Sequence, residues 1–129
     1  MSATNDFENA LLAHALGSAP LAMPAANWLA LFTGDPGEAG STATEIAGAG
    51  YQRQAVAFTA PVSGSASNAA DITFPAANGA AWGTISHWAI MSAQAGGTMR
   101  IKGSFQTPRL IADTDTLVVR AGDITASLD

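Results

Sequence analysis

The sequence predicts a mainly β protein: a single antiparallel β-sandwich or jelly-roll-like barrel of seven or eight strands with one short N-terminal helix. Short apolar segments recur at roughly 10–15-residue spacing, separated by Gly, Pro, Ser and Asn. Helical periodicity is confined to one segment near the N-terminus. At 129 residues the chain has the length of one domain. We divide it into an N-terminal helix and connector (1–26) and a β-sandwich domain (27–129).

The helix is predicted over residues 6–16. Asn5 stands at the capping position with Glu8 three residues later, and Gly17 provides a C-terminal stop. A helix this short is not stable in isolation, so it must dock on its own β domain or on a neighbouring subunit. The side chains available for docking form an apolar stripe at helical spacing: Phe7, Leu11, Leu12, Ala15 and Leu16.

Strand signals follow the helix through the rest of the chain. The first strand is apolar on both faces, as expected of a central strand that is covered on both sides. Residues 34–44 form a long acidic segment, which we predict to be a mobile loop or a partner-contacting arm. Residues 60–68 and 94–97 have the composition of turns or loops. The predicted strands are 27–33, 50–58, 71–75, 82–91, 98–105, 116–120 and 124–128.

Composition excludes several classes of function. The chain has ten acidic residues against five Lys and Arg, a formal net charge of −5, so phosphate-rich partners such as nucleic acid or an anionic membrane are disfavoured. It has no cysteine, which excludes disulfides and thiolate metal ligands. The N-terminus lacks a basic segment, and no apolar run approaches the ~18–20 residues of a membrane span. We therefore expect synthesis in the cytoplasm of the producing cell, without a signal peptide.

No group of residues indicates catalysis, a metal or a cofactor. A serine, histidine and aspartate coexist at Ser63, His87 and Asp71, but no serine has the Gly-x-Ser-x-Gly context of a hydrolase elbow. His14 and His87 are too few to form a zinc site. The carboxylate pairs Asp113/Asp115 and Asp35/Glu38 fit turns better than a calcium-binding loop.

The aromatic residues admit two interpretations, a hydrophobic core or a sugar-stacking platform. Since the chain has few other large side chains, we predict that most of its aromatic residues lie in the core. Trp82, which precedes Gly83 at the start of a strand, is the one expected to be partly exposed.

Several motifs, taken in order, resemble a family of small tailed-bacteriophage virion proteins of the kind labelled tail-fibre-like. The two most specific blocks are Gly-Tyr-Gln-Arg-Gln-Ala-Val at 50–56 and Trp-Gly-Thr-Ile-Ser-His-Trp at 82–88. The resemblance covers nearly the whole chain and implies a structural protein of the virion. It carries over no catalytic residue. The remaining matching blocks are 7–17, 28–37, 45–58, 72–75, 96–99 and 122–129.

Within a virion the resemblance implies two roles. One compact domain without a shaft, repeat or coiled coil suits a capsid decoration (cement) protein that contacts the major capsid protein or another virion protein. The alternative is a tail-fibre or head-fibre module that binds a host receptor or glycan. In either role we expect a homo-oligomer, with a trimer favoured, and no enzymatic activity. The candidate interface residues are Phe7, Leu11, Leu12, Leu16, Met23, Asp35 and Glu38.

Overall fold

The computed structural model describes residues 1–128 and contains one short helix and nine strands within them. In chain order these elements are β1 (Ser2–Ala3), α1 (Asn5–Ala15), β2 (Asn27–Phe32), β3 (Gln54–Val56), β4 (Ser65–Ser67), β5 (Ile72–Thr73), β6 (Gly83–Met91), β7 (Met99–Ile111), β8 (Val118–Val119) and β9 (Thr125–Ser127).

The strands form one large antiparallel sheet and two small ones. The large sheet has five strands in the order β1-β7-β6-β2-β3, and the two-stranded sheets are β4-β9 and β5-β8. The predicted mainly β class with one short N-terminal helix is confirmed, and the sheets do not close into a barrel. The division of the chain at residue 26 stays a prediction, and Asp129, the last residue of the predicted domain, lies outside the described residues.

The large sheet is covered on both faces, as predicted for its central strand. On one face Leu29 and Leu31 of β2 belong to the main hydrophobic cluster. On the other face Ala30 and Phe32 pack with Ala89, Met91 and Met99. All four of these β2 side chains are fully buried. Strand β2 therefore anchors two separate cores.

Three aromatic rings form the centre of the main cluster. The Tyr51 and Trp82 ring centroids lie 5.5 Å apart at 88°, and Phe74 packs edge-on against Trp82 at 6.4 Å. The expected partial exposure of Trp82 is wrong, because this residue is only 6% exposed. Its indole Nε1 donates to the Ala49 carbonyl at 3.0 Å, so the ring can be buried with its polar atom satisfied. Trp88 is buried in the core, as predicted for most of the aromatic residues, whereas Trp28 is half-buried.

The helix begins one residue earlier than predicted and has a different N-cap. Thr4 is the N-cap residue, and its hydroxyl makes no capping bond because it donates to the Met99 carbonyl of β7 at 2.7 Å. The predicted capping box of Asn5 and Glu8 is therefore wrong. The predicted stop at Gly17 is confirmed: Gly17 has φ 78° and donates to the His14 carbonyl, in the hydrogen-bonding pattern of a Schellman motif.

The β6–β7 hairpin dominates the sheet and contains a large bulge. Ile85 pairs with Arg109 and His87 pairs with Ser104. One residue of β6 therefore lies opposite four residues of β7, 105–108. Strand β7 continues to Ile111, beyond the predicted end at residue 105. Pro108 lies within the bulge, where a residue without a backbone N–H is tolerated.

Candidate functional site

An apolar groove lies between α1, β7 and the β4-β9 sheet. It consists of two adjoining cavities of about 230 and 250 Å³, and the Phe7 and Ile101 side chains line both of them. We call this feature the helix groove. Its other lining residues are almost all apolar or small and include Leu11, Leu21, Pro24, Phe58, Ala66, Ala126 and Leu128.

The outer side of α1 and the following connector expose further apolar side chains. Leu12 is 58% exposed, Leu16 is 77% exposed and Met23 is 92% exposed. No residue of α1 is buried, although Phe7 and Leu11 are half-buried where they line the groove. The structure thus brings Phe7 and Leu11 together at the groove and leaves Leu12, Leu16 and Met23 uncovered nearby in the chain. Their role at an interface stays a prediction.

The other two candidate interface residues, Asp35 and Glu38, belong to a different feature. Both carboxylates pair with the Lys102 ammonium of β7, at 3.2 Å for Asp35 and 3.3 Å for Glu38. Glu38 also accepts a hydrogen bond from the Ser2 hydroxyl at 3.2 Å. Neither carboxylate lines the helix groove. They attach the 34–44 loop to the sheet.

The 34–44 loop is attached to the rest of the fold at several points. Its base is closed by a hydrogen bond from the Thr33 amide to the Thr44 carbonyl at 3.0 Å. Its middle contacts the start of the helix, where the Asn5 amide donates to the Glu38 carbonyl at 3.0 Å. Backbone hydrogen bonds and the two ion pairs with Lys102 thus attach the loop to the helix and the sheet, and its mobility or contact with a partner stays a prediction. Sequence composition alone did not indicate these bonds.

The ion pairs of the 34–44 loop with Lys102 shift the pKa values of Asp35 and Lys102. A hydrogen bond from the Gly37 amide at 2.9 Å, assisted by Lys102, lowers the pKa of Asp35. For Lys102, partial burial lowers the pKa, but hydrogen bonds to Asp35 and Glu38 outweigh it, and the net pKa is raised. Both groups therefore stay charged over a wider pH range than usual.

A second, polar pocket of about 420 Å³ lies where the chain before β3 meets the loop between β6 and β7. It is built from three separate segments: residues 45–46, 51–53 and the β6–β7 hairpin loop. We call it the polar pocket. It is lined by Glu45, Ile46, Tyr51, Gln52, Arg53, Gln94 and Ala95.

A bidentate ion pair forms the floor of the polar pocket. Arg53 Nε donates to Glu45 Oε2 and Arg53 Nη2 donates to Glu45 Oε1, both at 2.7 Å. The Arg53 side chain is 6% exposed and that of Glu45 12%. Arg53 Nη1 also donates to the carbonyls of Ala93 at 2.9 Å and Gly96 at 2.7 Å. The guanidinium therefore fixes the hairpin loop to the ion pair.

Tyr51 connects this ion pair to the core. Its hydroxyl donates to Glu45 Oε2 at 2.9 Å and accepts from the Leu31 amide at 3.0 Å. Burial, reinforced by the negative charge of Glu45, raises the pKa of Tyr51 well above its ordinary value. The hydrogen bonds from Arg53 to Glu45 likewise raise the pKa of Arg53. The phenol and the guanidinium are thus held in their protonated forms.

This network is the main feature of the site that sequence motifs do not indicate. The signal was present in the charge distribution: Arg53 is the only Lys or Arg among residues 1–99, and the other residues of the predicted strand 50–58 are uncharged. A single cation in such a strand needs a carboxylate partner if it is buried. The partner could not be chosen from sequence, because several acids precede Arg53 in the chain.

His14, His87 and Asp71 each bond to a different part of the chain. His14 Nδ1 accepts from the Leu21 amide at 3.0 Å, and His87 Nδ1 lies 2.8 Å from the Ser86 hydroxyl. Asp71 accepts from the Ala121 amide at 2.8 Å. The structure therefore does not bring His87 and Asp71 together with Ser63 as a triad. Among residues 1–128, no three His, Asp or Glu side chains are grouped so that they could hold a metal ion.

No helix within residues 1–128 is both long and apolar enough to cross a membrane. The helix groove and the polar pocket are two concave features of opposite character. The helix groove is lined mainly by apolar side chains, with Arg100 and Asn27 among its few polar members, and the polar pocket has a neutralised ion pair at its base.

Comparison with known proteins assigns the chain to a family. A comparison with curated proteins finds no match. A family model described as podophage GP4 fiber I protein gp80 matches residues 2–127. This match spans nearly the whole sequence and agrees with the resemblance to small tailed-phage virion proteins. The chain belongs to the podophage GP4 fiber I protein gp80 family and is a fibre-related phage virion protein.

Proposed function

We propose that this chain is a subunit of a phage fibre and is built into the virion through the helix groove and the adjacent apolar residues of α1. The observation that carries this proposal is the uncovered apolar surface, formed by a groove lined by Phe7 and Ile101 and by the exposed Leu12 and Leu16 side chains. The family description supports a fibre location.

An isolated helix of 11 residues is marginal in water, and α1 has no buried residue within the described chain. It is therefore stabilised only in part by its own domain. Exposed large apolar side chains beside an apolar groove are typical of protein interfaces. Covering them with another virion chain would bury the surface that the single chain leaves in water.

The partner in this proposal is another virion protein chain, and it includes further copies of this chain. A homo-oligomer, with a trimer favoured, belongs to the proposal as the state expected in the fibre. The groove is lined mainly by apolar side chains, with Arg100 at one cavity, which suits a permanent interface of the kind that resembles a protein core.

Capsid decoration is the second candidate. It is favoured by the compact fold: the described residues contain no long helix and no repeat that could form a shaft. A cement protein would use the same apolar surface against the major capsid protein. The family description, that of a fibre protein, supports a structural role for both candidates.

Labelling particles separates the two candidates. Purified virions are incubated with gold-conjugated antibodies against this chain, and the label is located by electron microscopy. Label at the fibres, in a copy number set by the tail symmetry, is the expected result. Label distributed over the head would contradict the fibre assignment and favour decoration. Virions from a phage that lacks the gene serve as the control for specific labelling.

A further inference from the structure

We propose that the polar pocket binds a neutral saccharide by hydrogen bonds to a pair of adjacent hydroxyl groups. Only the source of this saccharide, a glycan on the host surface, rests on the proposed fibre function. The residues of the polar pocket lie outside the helix groove and take no part in the assembly role proposed for it.

The pocket has unused hydrogen-bonding capacity. Within residues 1–128, the side-chain amides of Gln52 and Gln94 make no hydrogen bond to protein, although both line the pocket. Each amide offers two N–H donors and one carbonyl acceptor. Glu45 Oε1 accepts a single bond, from Arg53 Nη2, and so retains acceptor capacity. Donors and acceptors lying side by side match adjacent hydroxyls, each of which both donates and accepts.

The charge of the pocket selects a neutral ligand. The carboxylate of Glu45 and the guanidinium of Arg53 cancel each other at its base. The chain as a whole carries a net charge of −5, which disfavours acidic sugars and phosphates. A neutral polyol loses less hydration on entering such a site than an ion does.

The pocket is also held in shape before a ligand arrives. Arg53 fixes the hairpin loop that carries Gln94 through its bonds to the Ala93 and Gly96 carbonyls. Tyr51 fixes Glu45 from the side of the core. A site whose walls are already ordered loses little conformational entropy on binding. Its volume of about 420 Å³ lies in the range of small-molecule sites.

Part of the pocket lining is apolar. It consists of Ile46 and the methyl group of Ala95. The C–H face of a sugar ring can pack against these groups while its hydroxyls reach the amides, whereas a small flexible polyol lacks such a face. A ring with vicinal hydroxyls therefore uses both the polar and the apolar lining.

The test is a titration of the whole folded chain, labelled with nitrogen-15, with glucose, galactose, mannose or rhamnose in separate experiments. The expected result is saturable amide shifts confined to residues 45–53 and 93–96 with at least one of these sugars. The double variant Gln52→Ala/Gln94→Ala should bind that sugar about tenfold more weakly, the loss expected for two hydrogen bonds. Gln106→Ala, an exposed glutamine on the β7 bulge that does not line the pocket, should bind like the unchanged chain.

Two results would overturn the proposal. One is the absence of saturable shifts with all the sugars while the spectrum remains that of a folded protein. The other is equal affinity in the double variant and the unchanged chain, which would place the sugar elsewhere. Particle labelling is independent of this titration. Sugar binding combined with head labelling would support the sugar site and contradict the fibre role. Fibre labelling without sugar binding would support the fibre role and contradict the sugar site.

Discussion

Arg53 shows how one side chain can join distant segments. It donates two hydrogen bonds to Glu45 and two to carbonyls of the β6–β7 hairpin loop. Its cation is almost completely buried, so the contribution of the ion pair to the free energy of unfolding depends on each of these hydrogen bonds. Removing one partner leaves the other as an uncompensated buried charge.

The first prediction follows from this burial. Arg53→Ala should lower the free energy of unfolding by about 3–5 kcal/mol, because Glu45 would lose its partner. Urea denaturation at neutral pH measures the change. Arg120→Ala is the matched control: Arg120 pairs with Asp71 at 3.5 Å with its side chain 71% exposed, and its loss should cost about 0.5 kcal/mol or less. Equal effects of the two substitutions would show that the buried pair is not stabilising.

Gly103 makes possible the close packing of β7 on Trp88. A Cβ atom at position 103 would lie 2.6 Å from Trp88 Cε2, in the middle of a rigid buried ring. Gly103→Ala should therefore destabilise the fold by about 1–3 kcal/mol, as overpacking does. Thermal unfolding measures it, with Gly34→Ala as the control, because a Cβ there would meet Thr44 only at 3.4 Å. A stability unchanged by Gly103→Ala would contradict the described packing of Trp88.

The burial of Tyr51 makes the free energy of unfolding depend on pH in the alkaline range. Its raised pKa means that the phenol keeps its proton in the folded chain above the pH, about 10, at which the unfolded chain loses it. Above that pH the unfolded state binds fewer protons, so the free energy of unfolding falls as pH rises. Tyr51 is the only tyrosine, so tyrosinate absorbance reports it directly. Ionisation should coincide with unfolding, and an ordinary titration in the folded state would contradict the burial.

At the scale of elements, Asn68 holds the small β4-β9 sheet to the rest of the fold. Its Nδ2 donates to the Ala70 and Arg120 carbonyls, and its Oδ1 accepts from the Ile124 amide at 2.9 Å. The residue is 1% exposed. These bonds connect the segments before β5, after β8 and before β9.

Asn68→Ala should therefore loosen β4 and β9 preferentially. The Ile124 amide would remain buried without an acceptor, at a cost of about 1–3 kcal/mol. Amide hydrogen exchange should accelerate at Ser65–Ser67 and Thr125–Ser127 more than in β2. Asn78→Ala, at an exposed asparagine, is the control. Uniform acceleration across all strands would show that β4 and β9 unfold only with the whole domain.

Elements with strong patterns were predictable and those with weak ones were not. The alternation in β6 and the two-sided apolar pattern of β2 located both long inner strands, because burial sets their composition. Strands β1 and β4 have two and three small or polar residues, too few to carry a period. The N-cap was misplaced because the Thr4 hydroxyl bonds to β7, a tertiary contact that local sequence does not encode.

The candidate sites divide in the same way. The apolar surface was predictable because Phe7, Leu11, Leu12 and Leu16 share one short helix and its period. The polar pocket was not, because its walls come from segments more than 40 residues apart, which the Arg53 bonds to Ala93 and Gly96 bring together. Sequence patterns report neighbours along an element, whereas the pocket depends on which elements become neighbours in space.

At the scale of the whole molecule, the chain is a structural module with one surface left incomplete. Asp35, Glu38 and Glu45 are held in ion pairs. Every aromatic ring is buried or half-buried. Three of the large exposed apolar side chains, those of Leu12, Leu16 and Met23, lie on α1 and the residues that follow it. If assembly into the virion covers this surface, changing it should affect incorporation far more than the stability of the isolated chain.

Incorporation of a Leu12→Glu/Leu16→Glu variant tests this account most directly. Phage that lacks the gene is grown on cells that supply the unchanged chain, the double variant or Leu110→Glu, and the chain in purified particles is quantified. Leu110→Glu is the matched control because Leu110 is 68% exposed and does not line the groove. We expect the double variant to fold normally but to be missing from particles, while Leu110→Glu is incorporated. Incorporation of the double variant at the level of the unchanged chain would contradict the account.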